Sequence, residues 1–116
     1  MKKILIVDDE AEFTKDFAKA LEIFGFQPYQ AFDGESALNA IEKEKPAIVL
    51  CDYRLPDMDG DIILEKTKKL HPEIKFVMIT AYYDEVVEKR MRNLGADEVV
   101  FKPIVLTEIE ALLAKL

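Results

Sequence analysis

The sequence contains only one cysteine, no tryptophan and no long hydrophobic run. A single cysteine cannot form a disulfide bond within the chain, which is typical of proteins kept in a reducing compartment. We therefore expect a cytoplasmic protein in which Cys51 is a small buried strand residue. A membrane-spanning helix needs about 20 apolar residues, and no segment approaches that length. The start of the chain turns acidic after four apolar residues, which argues against a signal peptide.

Basic residues are in the minority, with 16 lysines and arginines against 23 aspartates and glutamates and a formal net charge of −7. Binding to phosphate backbones or to an anionic membrane needs a basic surface, so we expect neither direct nucleic-acid binding nor membrane binding. A length of 116 residues fits one domain with one core. We therefore treat residues 1–116 as a single domain.

Short apolar runs alternate with segments of helical periodicity along the chain. Residues 3–7, 47–51 and 76–80 are nearly continuous apolar runs, which predict strands buried on both faces. Residues 27–32 and 98–101 are weaker runs that predict edge strands. Apolar residues at helical spacing fill the segments that follow each run. Five strands alternating with five helices predict an α/β fold, a doubly wound parallel sheet with helices on both faces.

Single residues mark several of the predicted helix ends. Gly25 and Gly95 each follow a helical stripe, where a left-handed residue commonly ends a helix. Asp33 stands where the N-cap of the second helix is expected. In the segment after the third strand, Asp59 or Asp61 is expected to cap the third helix.

Two further polar residues are interpreted in structural rather than catalytic terms. Asp57, between Pro56 and Met58, is interpreted as a turn former. His71 precedes Pro72 near the expected end of the third helix, and we interpret it as a solvent-facing residue.

Polar side chains follow four of the five predicted strands. Asp8 and Asp9 follow the first strand, Asp52 the third, Thr80 ends the fourth and Lys102 follows the fifth. The carboxyl ends of parallel strands meet at one edge of the sheet, where ligands of doubly wound folds bind. These residues are therefore expected to lie together.

The charges of these residues suggest what the edge binds. Two carboxylates about 4 Å apart repel by about 4 kcal/mol at an effective dielectric near 20, so Asp8, Asp9 and Asp52 favour a bound cation. Mg²⁺ prefers such oxygen ligands and keeps several waters. Lys102 adds a positive charge that suits a carboxylate or a phosphoryl oxygen, and Thr80 supplies a neutral donor for another such oxygen. Together these groups are suited to placing a phosphoryl group on a carboxylate, where positioning and charge neutralisation supply most of the catalysis.

Four stretches, "ILIVDDE", "IVLCDYRLPDMDG", "VMITAY" and "GADEVVFKPI", occur in an order and spacing that resembles the receiver domain of two-component response regulators, of the chemotaxis-regulator-like kind. The resemblance covers essentially the whole chain. It implies a flavodoxin-like fold with strand order 2-1-3-4-5. It also implies that Asp52 accepts a phosphoryl group from a histidine kinase or a histidine phosphotransfer protein. The domain would then act on a downstream effector domain or protein, as a stand-alone receiver or as the N-terminal part of a longer regulator.

The resemblance also assigns roles to individual residues. Asp8, Asp9 and Asp52 would hold Mg²⁺ together with the backbone carbonyl of Arg54. Thr80 and Lys102 would contact the phosphoryl oxygens, and the peptide bond between Lys102 and Pro103 would be cis. Such a domain is a phosphoacceptor that catalyses only its own phosphorylation and dephosphorylation, not an enzyme acting on other substrates.

One position departs from the family pattern. Receivers commonly carry tyrosine or phenylalanine three residues before the lysine, and this sequence has Val99 there. A valine cannot make the rotamer change of an aromatic ring, so we do not expect the usual aromatic coupling of phosphorylation to output, although we still expect phosphorylation. Tyr82 or Phe101 could substitute, although packing or surface roles account for both.

Three alternative functions were considered. A phosphatase with an aspartyl nucleophile would need a general acid two residues after Asp52, and Arg54 cannot act as one. A calcium-binding loop with Gly60 at its sixth position would put Leu55 and Lys66 where carboxylates are required. A receiver-like interaction domain that has lost phosphorylation would lack an acid or the lysine, and none is missing. This last possibility is kept as the alternative because of Val99.

Overall fold

Within residues 1–81 and 84–116, the part of the chain that this computed structural model describes, five strands alternate with five helices. The strands are β1 (Lys2–Val7), β2 (Phe26–Ala31), β3 (Ile48–Asp52), β4 (Lys75–Thr80) and β5 (Glu98–Phe101). The helices are α1 (Ala11–Ile23), α2 (Gly34–Glu44), α3 (Gly60–Leu70), α4 (Glu85–Asn93) and α5 (Leu106–Lys115). Tyr82 and Tyr83 lie outside the described residues.

All of the strand pairs are parallel, and the sheet has the order β2-β1-β3-β4-β5. The predicted flavodoxin-like fold is therefore confirmed. The predicted strands are correct to within one residue at each end, and the main shift is that β3 includes Asp52 as its last residue. Pro28 lies in the edge strand β2, where its missing N–H costs little.

The core has two halves, one on each face of the sheet, because successive strand residues point to opposite faces. On one face, the buried residues of the central strands pack with α2, α3 and α4, and they include Leu5, Val49 and Phe76. On the other face they pack with α1 and α5, and they include Ile6, Leu50 and Val77. Burying a side chain of this size contributes about 1.5–3 kcal/mol, which explains why the central strands are continuously apolar.

Several of the predicted helix ends are confirmed. Gly25 and Gly95 have φ angles of 94° and 110°, in the left-handed region that glycine tolerates. Asp33 caps α2, since its carboxylate accepts a hydrogen bond of 2.8 Å from the Ser36 N–H. The predicted cap of α3 is wrong in detail, because Asp59 occupies the N-cap position without a side-chain hydrogen bond. Asp61 lies in the first turn of α3.

Cys51, in the sheet, and His71, at the end of α3, are both largely shielded from solvent. Cys51 is fully buried in β3, as predicted, and its thiol donates to the Asp52 carbonyl at 3.3 Å. The prediction that His71 faces solvent is wrong, since its side chain is only 15% exposed and Nε2 lies 2.6 Å from Glu42 Oε1 on α2.

Among the helices of the described residues, none is both long and apolar enough to cross a membrane.

Candidate functional site at the carboxyl edge of the sheet

Three aspartates meet at the carboxyl ends of β1 and β3, which are neighbours in the sheet. Val7 pairs with Cys51 in the register of β1 and β3, so Asp8 and Asp52 are neighbours at the ends of these strands. Asp8, Asp9 and Asp52 each offer a carboxylate oxygen, and these oxygens lie within 4.8 Å of one another. The side chain of Asp8 is 2% exposed and that of Asp52 is 14% exposed, whereas Asp9 is exposed. The predicted acidic group is therefore present, with an opening to solvent.

The Asp8 carboxylate is held in place on both of its oxygens. Oδ1 accepts a hydrogen bond of 2.9 Å from the Glu10 N–H, and Oδ2 accepts one of 3.0 Å from Lys102 Nζ. Lys102 Nζ lies farther, 3.6 Å, from Asp52 Oδ2, and 5.1 Å from the centre of the Phe13 ring. The lysine thus bridges Asp8 and Asp52 while its ammonium group rests against an aromatic face.

Thr80 and Lys102 reach the same edge from the next two strands. Asp52 pairs with Ile79, so Thr80 lies one residue beyond Asp52 on the neighbouring strand, where it is buried. The Lys102 N–H donates a hydrogen bond of 2.8 Å to the Thr80 carbonyl, which fixes the start of the segment after β5. The peptide bond between Lys102 and Pro103 is cis, as predicted.

Burial and charge shift the pKa values of two of these groups. The pKa of Asp52 is raised, chiefly by burial and also by the negative charges of Asp8 and Asp9, against the opposing effect of Lys102. Burial opposes the charged form of Lys102, but its hydrogen bond to Asp8 and the charge of Asp52 outweigh burial and raise the lysine pKa. Burial and the neighbouring carboxylates thus disfavour the charged form of Asp52, whereas its acidic neighbours favour the charged form of Lys102.

The segment between β3 and α3 folds back over Asp52. The Arg54 backbone N–H is close enough to the Asp52 carboxylate to oppose the rise in the pKa of that group, and Arg54 also forms an antiparallel bridge with Asp59. The Gly60 N–H donates to the Tyr53 carbonyl at 2.6 Å. A Cβ atom on Gly60 would lie 2.8 Å from the Asp52 carbonyl oxygen, so this position requires glycine. This closed segment places Arg54, the predicted carbonyl ligand, beside the acceptor candidate.

Asp57 has a role that its interpretation as a turn former missed. Its two carboxylate oxygens accept hydrogen bonds from the first two backbone N–H groups of α2, those of Gly34 at 2.7 Å and Glu35 at 2.9 Å. Capping residues normally precede their own helix, and this one is 22 or 23 residues away from the groups it caps. No local sequence signal identifies such a partner.

A second missed contact joins α4 to the edge of the site. Arg90 on α4 forms an ion pair with Asp61 on α3, and the same guanidinium nitrogen lies 3.3 Å from the Tyr53 hydroxyl. The interpretation of Asp61 as a capping residue does not predict this ion pair. The alternation of helix and strand does not show which exposed faces of two helices approach each other.

Val99 is buried in the core half formed with α2, α3 and α4, opposite Met78 in the sheet register. A valine at this position packs as an ordinary core residue. Of the two aromatic residues considered as substitutes, Phe101 pairs with Thr80 and is half-buried, and Tyr82 lies outside the described residues.

Comparison with known proteins agrees with this geometry. The family model "Response regulator receiver domain" matches residues 4–114. The chain is 36% identical over 110 residues to the "Probable transcriptional regulator ycf27" of Guillardia theta, covering 95% of this chain but 43% of that protein. It is 35% identical over 108 residues to the "Sporulation initiation phosphotransferase F" of Bacillus subtilis, covering 93% of this chain and 87% of that protein.

Solved structures give the same result at the level of the fold. A CheY-like response regulator receiver domain protein from Methanospirillum hungatei superposes with a TM-score of 0.95 at 33% identity, covering 99% of this chain and 92% of that one. The BeF3-activated DrrB receiver domain superposes with a TM-score of 0.91 at 28% identity, covering 99% and 96% of the two chains.

The relatives differ in length, and so in the share of each that this chain covers. This chain spans less than half the length of the ycf27 regulators and most of the sporulation phosphotransferase. All of them match 93% to 95% of this chain. On the combined grounds of family match, identity and fold, the chain belongs to the response regulator receiver domain family of two-component signalling proteins.

Proposed function

We propose that this domain accepts a phosphoryl group on Asp52, from a phosphohistidine of a histidine kinase or histidine phosphotransfer protein, in a reaction that requires Mg²⁺. The observation that carries the proposal is the position of Asp52. It is the partly open carboxylate at the centre of an edge where Asp8, Asp9 and Lys102 converge. The pKa of Asp52 is raised mainly by burial and further by the negative charges of Asp8 and Asp9, which a bound cation would offset.

The residues at the edge fit a divalent cation. Asp8, Asp9 and Asp52 carry three negative charges when ionised and Lys102 carries one positive charge, which leaves a net charge of −2 (−3 + 1). The donors are all oxygen atoms, the type that Mg²⁺ prefers. Asp8, Asp9, Asp52 and the Arg54 carbonyl would hold the ion, which would neutralise charge on the phosphoryl oxygens during transfer.

The transfer itself requires little from the protein beyond positioning. An Asp52 carboxylate oxygen attacks phosphorus, the P–O bond forms, the P–N bond to the donor histidine breaks, and the imidazole leaves. Thr80 ends β4 and Lys102 follows β5, the two strands on the side of β3 away from β1, and the Lys102 ammonium group reaches back to within 3.6 Å of Asp52. We assign both side chains to the phosphoryl oxygens. Lys102 reaches these oxygens by exchanging part of its bond with Asp8, since its ammonium group carries three donors.

The output is proposed to pass from this edge to the elements that carry Thr80 and Lys102. Phosphorylation adds charge and strong acceptors, which biases β5, α4 and α5 between arrangements that already exist in the ensemble. We propose a downstream effector domain or protein as the recipient and the cytoplasm as the compartment. Catalysis would be limited to the domain's own phosphorylation and dephosphorylation.

The proposal is tested by incubating the protein with a small phosphodonor and Mg²⁺ and measuring its intact mass. The wild type should gain one phosphoryl group, and Asp52→Asn should gain none. Asp59→Asn is the matched control, because Asp59 is an exposed acid of the same segment whose side chain caps nothing. Equal labelling of Asp52→Asn would refute the acceptor assignment. A wild type that gains nothing, with kinase or with phosphodonor, would favour the phosphorylation-independent interaction domain.

A further inference from the structure

The β3–α3 segment is attached to a helix that takes no part in the acidic edge. Asp57 lies within this segment, which comprises residues 53–59. Its carboxylate accepts hydrogen bonds from the first two backbone N–H groups of α2, those of Gly34 and Glu35. These N–H groups have no partner within the helix, and the positive end of the helix dipole favours a carboxylate there. The bonds lower the pKa of Asp57, the bond from Gly34 most strongly, so the group is charged at neutral pH.

A second contact reinforces the attachment. The side chain of Met58 lies directly on Gly34, so closely that a Cβ atom at Gly34 would be 2.3 Å from Met58 Cγ. Asp57 and Met58 together therefore hold the first turn of α2, one through hydrogen bonds and the other through packing.

The inner end of the same segment is attached to Asp52. Arg54 lies two residues after Asp52, and its backbone N–H is close enough to the Asp52 carboxylate to oppose the rise in the pKa of that group. Arg54 also forms an antiparallel bridge with Asp59, which brings the two ends of the segment together. Only two residues, Leu55 and Pro56, separate Arg54 from Asp57. Movement of Asp57 away from α2 would therefore be transmitted to the backbone of Arg54.

We propose that Asp57 is a positioning residue for the divalent-cation site, because its attachment to α2 holds the Arg54 backbone in place beside Asp52. This inference rests on the proposed function, in which the Arg54 carbonyl is a ligand of the ion. Residues that orient metal ligands without touching the metal change its affinity by about 10- to 100-fold in well-studied sites. Because Asp57 acts through two intervening residues, we expect its removal to weaken Mg²⁺ binding by about three- to tenfold.

The structure offers a matched control for this inference. Asp33 caps the same helix from its own N-cap position, through the Ser36 N–H, and among the described residues its carboxylate makes no hydrogen bond to the β3–α3 segment. Asp57→Ala and Asp33→Ala both remove a cap from the first turn of α2. Only Asp57→Ala also releases the segment that carries Arg54.

The experiment is a calorimetric titration of the whole chain with Mg²⁺, at a temperature well below unfolding, together with urea unfolding in EDTA. Asp57→Ala should raise the Kd for Mg²⁺ by about three- to tenfold, and Asp33→Ala should leave it within about twofold of the wild type, although both lower stability in EDTA. Asp57→Asn keeps one acceptor oxygen and should lie between Asp57→Ala and the wild type. It also remains measurable if Asp57→Ala does not fold.

Three results would contradict the inference, and they differ in whether they also contradict the proposed function. Unchanged Mg²⁺ affinity in both Asp57 variants would overturn the positioning role and leave the proposed function intact. An equal loss of affinity in Asp33→Ala would show that the stability of α2, not the attachment of the segment, controls the site. A wild type that binds no Mg²⁺ would overturn the metal site itself, and the positioning role with it.

Discussion

Lys102 Nζ donates a hydrogen bond of 3.0 Å to Asp8 Oδ2, so the lysine of the site is bonded to a proposed metal ligand more closely than to the proposed acceptor. A fixed positive charge in this position stabilises the acidic edge when no cation is bound. The same charge opposes a divalent cation, because both compete for the Asp8 carboxylate. Lys102 therefore has two effects, one on the metal and one on the phosphoryl group, and they can be separated.

Replacing Lys102 with methionine should tighten Mg²⁺ binding by about tenfold, since a unit positive charge close to the ion is removed. The measurement is a Mg²⁺ titration of the unphosphorylated protein. Lys75→Met is the control, because Lys75 is an exposed lysine at the amino end of β4, on the opposite edge of the sheet. Unchanged or weaker binding in Lys102→Met would contradict the competition.

Gly34→Ala should destabilise the protein by about 1–3 kcal/mol, because the new methyl group overlaps Met58 and forces this side chain off α2. In a Met58→Ala background the same substitution should cost less than about 0.5 kcal/mol, since alanine also favours the helix. Urea unfolding of the four proteins measures the coupling.

Gly60→Ala provides the contrast to Gly34→Ala. The nearest atom to its added methyl group is the backbone oxygen of Asp52, at 2.8 Å, so truncating Met58 should give no relief. If the stability losses of Gly34→Ala and Met58→Ala simply add, the methyl group at residue 34 does not overlap Met58. If Met58→Ala restores the stability of Gly60→Ala, the methyl group at residue 60 overlaps Met58 and not the Asp52 carbonyl oxygen.

Asp97 should stabilise the fold at neutral pH and lose this contribution in acid. Burial alone would raise its pKa, but hydrogen bonds of 2.8 Å from Lys68 Nζ and from the Phe76 N–H outweigh burial and lower it. A lowered carboxyl pKa gives stability that is present above the unfolded-state value, about 3.9, and that disappears as the pH falls through the folded-state value.

Asp97→Asn should therefore be less stable than the wild type by about 1 kcal/mol at pH 7, with a gap that closes below about pH 4. Urea unfolding of both proteins over this pH range measures the gap. The difference between the two proteins isolates Asp97 from the other carboxylates. A gap that stays constant or widens in acid would mean that Asp97 acts by packing and not by its charge.

Val99→Tyr should leave the rate of phosphorylation within about twofold of the wild type, because Val99 is a core residue and none of the groups proposed to hold the ion or the phosphoryl group is replaced. It should change the hydrogen exchange of β5 and α5 on phosphorylation, since a ring can adopt two rotamers where valine cannot. Val99→Leu adds bulk without a ring and serves as the control. Equal exchange changes in the two variants would attribute the effect to overpacking.

The fold and the main site residues could be predicted because they depend on local patterns. Asp8, Asp52 and Lys102 each follow or end an apolar run, and a parallel sheet brings all such ends to one edge. The strand order did not follow from periodicity and came from the resemblance to receivers. The metal and phosphoryl roles of these residues stay predictions until they are measured.

The contacts that were missed connect residues that are distant in sequence. Asp57 caps α2 across more than 20 residues, Asp61 pairs with Arg90 across 29, and His71 contacts Glu42 across 29. In each case the residue type was interpreted from its immediate neighbours, as a turn, a cap or a solvated helix end. The partner is set by how two helices or a loop and a helix pack, which a local pattern does not contain.

Cys51 gives the domain a built-in reporter of its own opening. The thiol is fully buried beside Asp52, and burial raises its pKa well above the usual range, with the charges of Asp52 and Asp8 acting in the same direction. It should react with a thiol reagent only in molecules whose central strand has opened. Because the chain has no other cysteine, the labelling rate would count these openings directly, one residue away from the proposed acceptor.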